Sequence, residues 1–302
     1  QAKTVAWIQA NGGTAHAPQP FSERFHPEVV RILYGTAQGL SGALAVVDMD
    51  YAPADPQAAR AALADFNQRA QSWRAGVPDT GFMPHSAICQ ITPADGRPHG
   101  TGFYVSHDLI LTAAHVVEGQ SSLTIHVGRN GGSVVKRFTV SSADWTVHPS
   151  RRVGVKDFDL AVIRVAEPPP HGWFSLFEQN QSTEDMVIVC GYAASAGDPT
   201  RQHLDGDYIR RLSPNAETMQ YNLQTTGGTS GSPVFIATGY EDDVAQQSVL
   251  DWAAFGVHVS GFDRTLNQAC RLTFRSGTSC EQVSMGVGPT EPGTGYNLLV
   301  CR

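Results

Sequence analysis

The sequence lacks any tract rich in lysine and arginine, and only 16% of its 302 residues are charged. Its formal net charge is -7 at pH 7, so we do not expect nucleic acid or an anionic membrane surface as its main partner. No apolar run approaches the ~20 residues that a transmembrane helix needs, and we therefore expect no membrane span. The hydrophobic fraction of 41% is typical of a folded globular protein and argues against disorder.

Metal-binding signatures are missing as well. The sequence contains neither an H-E-x-x-H nor a C-x-x-C motif, so no metal or organic cofactor is expected. Cysteine is scarce, and its odd count of five leaves at least one thiol unpaired or paired outside the chain. Cys270 and Cys280 flank a short loop and could form a disulfide, although five reduced and partly buried cysteines are the open alternative.

The first 80 residues differ in pattern from the rest of the chain. Residues 53–76 predict a helix, because Asp55 and Pro56 suit its first turn and Gly76 ends it. Apolar residues at helical spacing give this helix one apolar face. We expect residues 1–80 to form a partly helical N-terminal extension, which either packs on the main domain or serves as a propeptide or regulatory segment.

From about residue 81 onward, short β-forming runs alternate with turns, which predicts an all-β domain. The length of this region, residues 81–302, matches two packed six-stranded β-barrels. The expected strands lie at residues 86–91, 102–105, 109–113, 123–127, 136–140, 161–165, 186–191, 219–223, 234–237 and 253–259.

Three short motifs follow one another inside this domain. They are LTAAHVV at residues 111–117, DFDLAVI at residues 157–163 and TTGGTSGSPVF at residues 225–235. They are far apart in the sequence, so only the tertiary fold could bring them together.

A histidine, an aspartate and a serine in these motifs suit a nucleophilic site. Ser230 lies among glycines, whose permissive backbone lets N–H groups converge on one point. Imidazole side chains as a class change charge near neutral pH, so His115 could act as the base that accepts the serine proton and later returns it. Asp159 precedes an apolar strand and could be buried against the imidazole, fixing its tautomer. The N–H groups of Gly228 and Ser230 would form the oxyanion hole, where one donor is worth about 3 kcal/mol.

Each motif alone also has an ordinary structural explanation, and neighbouring residues are weaker choices. Asp157 does not directly precede the apolar strand, and Ser232 already lies toward the next strand. His107 and His148 lack the small residues that surround His115. The order histidine, aspartate, serine, with the histidine and serine motifs both nearly complete, is what favours a catalytic site.

On these motifs the chain resembles a chymotrypsin-fold (trypsin-like) serine endopeptidase over about residues 80–302. Within that family it is most similar to the bacterial glutamyl endopeptidase branch, through residues 219–235 and through the GVH of residues 256–258. The resemblance implies an enzyme that cuts protein or peptide substrates through an acyl-enzyme, with the three residues above as its triad.

The same resemblance implies a specificity. In this branch a threonine and a histidine, here Thr225 and His258, hold an acidic P1 side chain, and both can donate hydrogen bonds to a carboxylate. We therefore expect cleavage after glutamate, with Val259, Ser260 and Gly261 pairing with the substrate backbone as an added strand. A hydrogen-bonded core histidine is the alternative interpretation of His258.

Two features depart from the branch. Thr229 stands where the family usually has Asn or Asp, but this changes no backbone donor, so we expect activity to survive. The segment of residues 239–252 is longer than expected and contains Glu241, Asp242 and Asp243. An acidic insert near the pocket would repel an acidic substrate.

Regulation and location have more than one interpretation. Members of the branch often use a freed N-terminus near the pocket, so we expect either a zymogen cleaved between about residues 75 and 86 or an enzyme that needs no such amine. No signal peptide is visible. We expect a secreted or periplasmic protein. The alternative is an intracellular effector protease with a different P1 preference, gated by residues 1–80 or by a regulatory partner. A binding protein on a protease scaffold is a third hypothesis, which the filled triad positions disfavour.

Overall fold

The computed structural model describes residues 77, 79–176, 186–194, 198–213, 218–223, 225–242, 247–261, 266–272, 280–284 and 297–301. The helix expected at residues 53–76, and with it nearly all of the N-terminal extension, lies outside the described residues.

The first sheet contains seven antiparallel strands. They are β1 (Ile88–Pro93), β2 (Gly100–Ser106), β3 (Leu109–Thr112), β4 (Ser122–Val127), β5 (Lys136–Ser141), β6 (Trp145–Val147) and β7 (Ala161–Arg164). Hydrogen bonds order them as β5-β4-β1-β2-β3-β7-β6. One helical turn, α1 (Ala114–Val117), follows β3 directly. Strands β1, β2 and β3 are buried along their whole length; β3 is nearly all apolar, whereas β1 and β2 also bury polar side chains such as Gln90 and Thr101.

The second sheet contains eight strands. They are β8 (Ser175–Leu176), β9 (Met186–Tyr192), β10 (Gln202–Tyr208), β11 (Arg211–Leu212), β12 (Thr218–Tyr221), β13 (Pro233–Asp242), β14 (Gln247–Gly261) and β15 (Asn267–Arg271). Their order is β10-β9-β13-β14-β15-β12-β11, and β8 pairs in parallel with β14. Two further strands, β16 (Cys280–Ser284) and β17 (Asn297–Cys301), pair with each other.

A row of aromatic rings joins the two sheets through one core. Phe103 of β2 meets Phe174 edge to face at 5.3 Å between ring centroids. Phe174 in turn meets Phe235 of β13 at 5.1 Å, and Phe235 meets Trp252 of β14 at 6.1 Å. Because such edge-to-face contacts add to the burial of large apolar rings, they hold the sheets together where the third motif begins β13.

The expected all-β fold class is confirmed by this architecture. All ten expected strands overlap strands of the structure. Without the two- and three-residue strands β6, β8 and β11, each large sheet has the six strands that were expected.

Candidate active site

The serine motif forms a tight loop between β12 and β13, and two of its glycines are required by the backbone. Gly228 has φ 93° and Gly231 has φ 89°, a region that side chains with a Cβ rarely adopt. A Cβ on Gly228 would lie 2.5 Å from the carbonyl oxygen of Tyr192, and one on Gly231 would lie 2.0 Å from that of Thr101. The loop therefore owes its shape to close backbone approach.

Thr101 of β2 anchors this loop from the first sheet. Its N–H donates to the carbonyl oxygen of Ser230 at 2.8 Å, and its hydroxyl donates to that of Gly228 at 2.8 Å. The same hydroxyl accepts from the N–H of Tyr192 at 3.0 Å. Thr101 is buried, so these bonds lie away from water. No pattern in the sequence around Thr101 indicated this role.

The N–H groups of the loop divide into two sets. Those of Thr229, Gly231 and Ser232 donate to backbone carbonyls within the fold. Among the described residues, the N–H groups of Gly228 and Ser230 donate no hydrogen bond. These two N–H groups are the donors expected to form an oxyanion hole, and those of Thr226 and Gly227 likewise donate no hydrogen bond among the described residues.

His115 lies in the helical turn α1, directly after β3. Ala113 and Ala114 beside it are fully buried, so small side chains let the turn sit close to the sheet. The imidazole Nδ1 lies 2.9 Å from Oδ2 of Asp159, and the backbone N–H of His115 donates to Oδ1 at 3.0 Å. The His115 side chain keeps 33% of its surface exposed, so the ring connects a buried carboxylate with solvent.

Asp159 is fully buried and is held ionised by its partners. Burial by itself raises the pKa of its carboxyl, but the hydrogen bonds and charge of His115, together with the charge of Arg151, bring the pKa below its ordinary value. An ionised Asp159 accepts the Nδ1 proton of His115 and so leaves Nε2 as a proton acceptor.

The turn before Asp159 has an unusual backbone. Phe158 has φ 58°, the only positive φ of a non-glycine residue in the described part of the chain. Its ring stacks on His148 at 4.8 Å, and the N–H of His148 donates to the carbonyl oxygen of Leu160 at 2.9 Å. The stacking and this bond hold the turn that directs Asp159 inward. His148 thus supports the turn, which its sequence context did not indicate.

The structure brings the serine loop and the histidine turn together through the strands behind them. Thr112, three residues before His115, donates to the carbonyl oxygen of Thr101 at 2.7 Å, and the N–H of Thr101 contacts the Ser230 carbonyl. Within the described residues no hydrogen bond joins the Ser230 hydroxyl to His115. Such bonds are often long before substrate binds.

The weaker sequence choices lie elsewhere. His107 is exposed and pairs with Asp108 at 3.6 Å, while Ser232 is fully buried. Asp157 is partly buried on the loop before Asp159.

The expected specificity histidine lies on β14 and has a partner that the sequence did not indicate. His258 is buried, and its Nδ1 lies 2.8 Å from the hydroxyl of Tyr221. Burial lowers the pKa of His258 to about 3 and raises that of Tyr221, so both are neutral at pH 7. A neutral tyrosine can donate to Nδ1, and the proton of the imidazole then lies on Nε2.

The Thr225 hydroxyl is hydrogen-bonded within the fold. It donates to the side-chain oxygen of Asn267, whose amide donates to the carbonyl oxygen of Leu223. Because a hydroxyl has one proton, Thr225 must release Asn267 before it can donate to another acceptor.

Residues 259–261 form the last part of β14, where only one of the two strand edges pairs with a described strand. Beyond Val257, which is opposite Pro233, β13 no longer pairs with β14. The other edge pairs with β15, where Ser260 is opposite Gln268 and Val259 forms a bulge. No described strand occupies the free edge, so an extended peptide could pair there.

The acidic segment is the distal part of the β13–β14 hairpin. Backbone pairing runs without interruption from Phe235 opposite Ala254 to Asp242 opposite Gln247. At a rise near 3.3 Å per residue, Glu241 lies about 25 Å along the strand from Pro233. The pairing places this segment at the far end of the hairpin from Pro233, and the expectation that it lies beside the pocket stays a prediction.

Several other expectations concern cysteines, metals and membranes. Cys270 is buried in β15, while the side chain of Cys280 lies outside the described residues, so the Cys270–Cys280 bridge stays a prediction. In the described ranges no group of three or more His, Cys, Asp or Glu side chains could hold a metal ion. The described part also contains no helix with the length and apolar character to span a membrane.

Comparisons with known proteins agree with this architecture. Residues 100–240 match the trypsin-like peptidase domain family. A glutamyl endopeptidase of Bacillus licheniformis is 28% identical over 215 residues, which is 66% of this chain and 63% of that protein. The chain thus spans somewhat less than two thirds of that relative's length. A solved structure of a Glu endopeptidase in complex with MPD superposes with a TM-score of 0.53 at 21% identity, over 66% of this chain and 90% of the other. The latter likeness shows the fold.

Proposed function

We propose that this chain, which belongs to the trypsin-like peptidases, is a serine endopeptidase with Ser230 as nucleophile, His115 as base and Asp159 as the residue that orients the base. The observation that carries the proposal is the buried Asp159 carboxylate, which binds both the ring and the backbone of His115. The unused N–H groups of Gly228 and Ser230 support it independently.

The chemistry follows from these groups. Nε2 of His115 accepts the Ser230 proton while Oγ attacks the carbonyl carbon of the scissile peptide. The negative oxygen of the tetrahedral intermediate binds the N–H groups of Gly228 and Ser230. Protonated His115 gives its proton to the leaving amine as the C–N bond breaks, which leaves an acyl-enzyme. Water then repeats these steps, with His115 again as base, and releases the acid.

We also propose a preference for glutamate at P1, in line with the name of the relative described above. With Tyr221 donating to Nδ1, the Nε2–H of His258 is a fixed donor for a carboxylate. Thr225 would add a second donor on leaving Asn267.

The organisation of the whole chain is part of the proposal. Residues 81–302 would form the peptidase domain, and residues 1–80 an extension that is removed on activation or regulates the domain, alone or with a partner. The free edge at residues 259–261 would hold the substrate backbone. Export to a secreted or periplasmic location is the setting that we propose.

A peptide-library digest tests the activity and the specificity together, with Ser230→Ala as the inactive control. We expect cleavage by the wild type after Glu, less after Asp, and none by Ser230→Ala. Absence of cleavage by the wild type would contradict the peptidase proposal, whereas Ser230-dependent cleavage after Lys, Arg or large apolar residues would contradict only the P1 assignment. His258→Ala should reduce cleavage after Glu far more than it reduces thermal stability.

A further inference from the structure

Arg151 contacts two carboxylates at once. Its Nε lies 3.1 Å from Oε1 of Glu118 and 3.6 Å from Oδ1 of Asp159, and its Nη2 lies 3.2 Å from Oε2 of Glu118. The Arg151 side chain is 7% exposed and that of Glu118 is 32% exposed. The guanidinium is therefore largely removed from water, where its interactions with both carboxylates are stronger than at an open surface.

The same guanidinium joins two chain segments. Glu118 ends α1, the helical turn that carries His115. Nη1 of Arg151 donates to the carbonyl oxygen of Arg152 at 2.8 Å and to that of Val155, which closes the loop leading from β6 to β7. Arg151 thus ties the segment of the proposed base to the segment of the buried aspartate.

The charges of Glu118 and Arg151 offset each other beside Asp159. Glu118 and Arg151 carry opposite charges, so together they leave the single negative charge of Asp159 facing His115. Without Arg151, two negative charges would stabilise a protonated His115. Without the Glu118 charge, Arg151 would oppose that protonation.

We propose that Arg151 and Glu118 are a positioning pair, in which Glu118 holds the Arg151 fork beside Asp159 and the paired charges set how strongly the site stabilises protonated His115. The inference rests on the proposed function, because it takes His115 to be the catalytic base. Neither member of the pair is proposed to touch substrate.

Two other histidines interact electrostatically with His115, and two more charged groups lie on the loop before Asp159. His99 has Nε2 2.9 Å from a carbonyl oxygen of α1, and His258 lies on β14. Lys156 and Asp157 lie on the loop before the buried aspartate. Burial lowers the pKa of His99 and brings that of His258 to about 3, so His258 stays neutral through an assay near neutral pH. Substitutions in the positioning pair leave all four groups in place.

The test is the pH titration of the His115 ring by NMR in Ser230→Ala protein, paired with the pH dependence of kcat/KM in the active protein. Glu118→Gln should move both midpoints to lower pH by about half a unit, because a negative charge is lost. Arg151→Met should move them to higher pH by a similar amount. The double variant should return to the wild-type midpoint but keep a lowered kcat, since the fork is still missing.

Two further variants separate charge from geometry. Arg151→Lys keeps the charge but cannot form the fork, so the midpoint should stay and kcat should fall about ten-fold. Arg152→Met removes the same charge from an exposed position on the same loop, and both readouts should stay close to wild type. Thermal unfolding checks that each variant folds. Glu118→Gln, at a partly exposed site, keeps the test decisive if Arg151→Met does not fold.

Midpoints that do not move, or that move in the same direction in the two folded single variants, would overturn the proposal. That outcome differs from failure of the peptidase proposal, which would show as no hydrolysis by the wild type or as unchanged hydrolysis in Ser230→Ala. The NMR titration does not depend on hydrolysis and reports on the pair in either case.

Discussion

Asp159 accepts two hydrogen bonds from His115, one from the ring at 2.9 Å and one from the backbone N–H at 3.0 Å. The carboxylate therefore fixes the ring relative to the turn that carries it, and not only its tautomer. Since Asp159 is buried and His115 is partly exposed, the proton-accepting atom of the pair is Nε2 of His115, on the ring that reaches solvent and would meet substrate.

Asp159→Asn should lower kcat by about 10³- to 10⁴-fold, because an amide can donate to Nδ1 and favours the tautomer that cannot accept a proton at Nε2. Steady-state kinetics on the purified variant measure this. Asp157→Asn, two residues earlier, is the matched control and should stay within a few-fold of wild type. Equal effects of the two changes would contradict the assignment of Asp159.

Gly231→Ala should destabilise the fold by at least about 1–2 kcal/mol, because alanine is strained at φ 89° and its Cβ would meet the carbonyl oxygen of Thr101. Urea unfolding at equilibrium gives the difference in free energy. Gly227→Ala is the matched control, since a Cβ there would have no neighbour within 4 Å. If both variants unfold at the same urea concentration, close approach at Gly231 is not what shapes the loop.

Thr101→Val should lower kcat by roughly ten-fold or more and lower stability by about 1–3 kcal/mol. The methyl group would leave the carbonyl of Gly228 and the N–H of Tyr192 without their buried partner. Kinetics and thermal unfolding measure the two effects. Thr92→Val is the control: it breaks the buried contact between Thr92 of β1 and His126 of β4, so it should lower stability and leave kcat unchanged. A Thr101 variant with lower stability and an unchanged kcat would restrict Thr101 to a structural role.

Tyr221→Phe should reduce kcat/KM for peptides with Glu at P1 by about ten-fold, because the proton on His258 is no longer directed to Nε2. Peptides with Gln at P1 should be affected less, since they carry no charge for that donor. Competition assays with matched Glu and Gln peptides give the ratio. An unchanged ratio would argue that Tyr221 does not act through His258.

The stability of the protein should fall as the pH is lowered from about 6.5 toward 3, partly because of His258. The pKa of this histidine is depressed to about 3 in the folded state, so below about 6.5 the unfolded chain binds a proton that the folded chain does not. The slope from one such group is at most about 1.4 kcal/mol per pH unit. His258→Gln should show a smaller decrease over this window in urea unfolding, and curves that run parallel would contradict the shifted pKa.

The ten predicted strands all occur in the structure, but seven others were missed, and two of these are longer strands that bury polar side chains. The missed strands are β6, β8, β10, β11, β15, β16 and β17, and the two polar examples are β10 and β15. Gln202 of β10 is buried through bonds to the carbonyl of His85 and the hydroxyl of Tyr192. Asn267 of β15 is buried through its bond to Leu223. A buried amide matched by a distant partner looks in sequence like a solvent-exposed residue.

The sequence by itself determined the local chemistry of this protein: glycines where the serine loop has positive φ, small residues before His115, and Asp159 at the head of an apolar strand. These depend on near neighbours in the chain, so a short motif contains them. Only the tertiary structure decided which groups pair across the sheets. Thr101 behind the serine loop, Tyr221 on His258 and Arg151 between Glu118 and Asp159 are all long-range contacts. Their partners are set by strand register and burial, which no local pattern records.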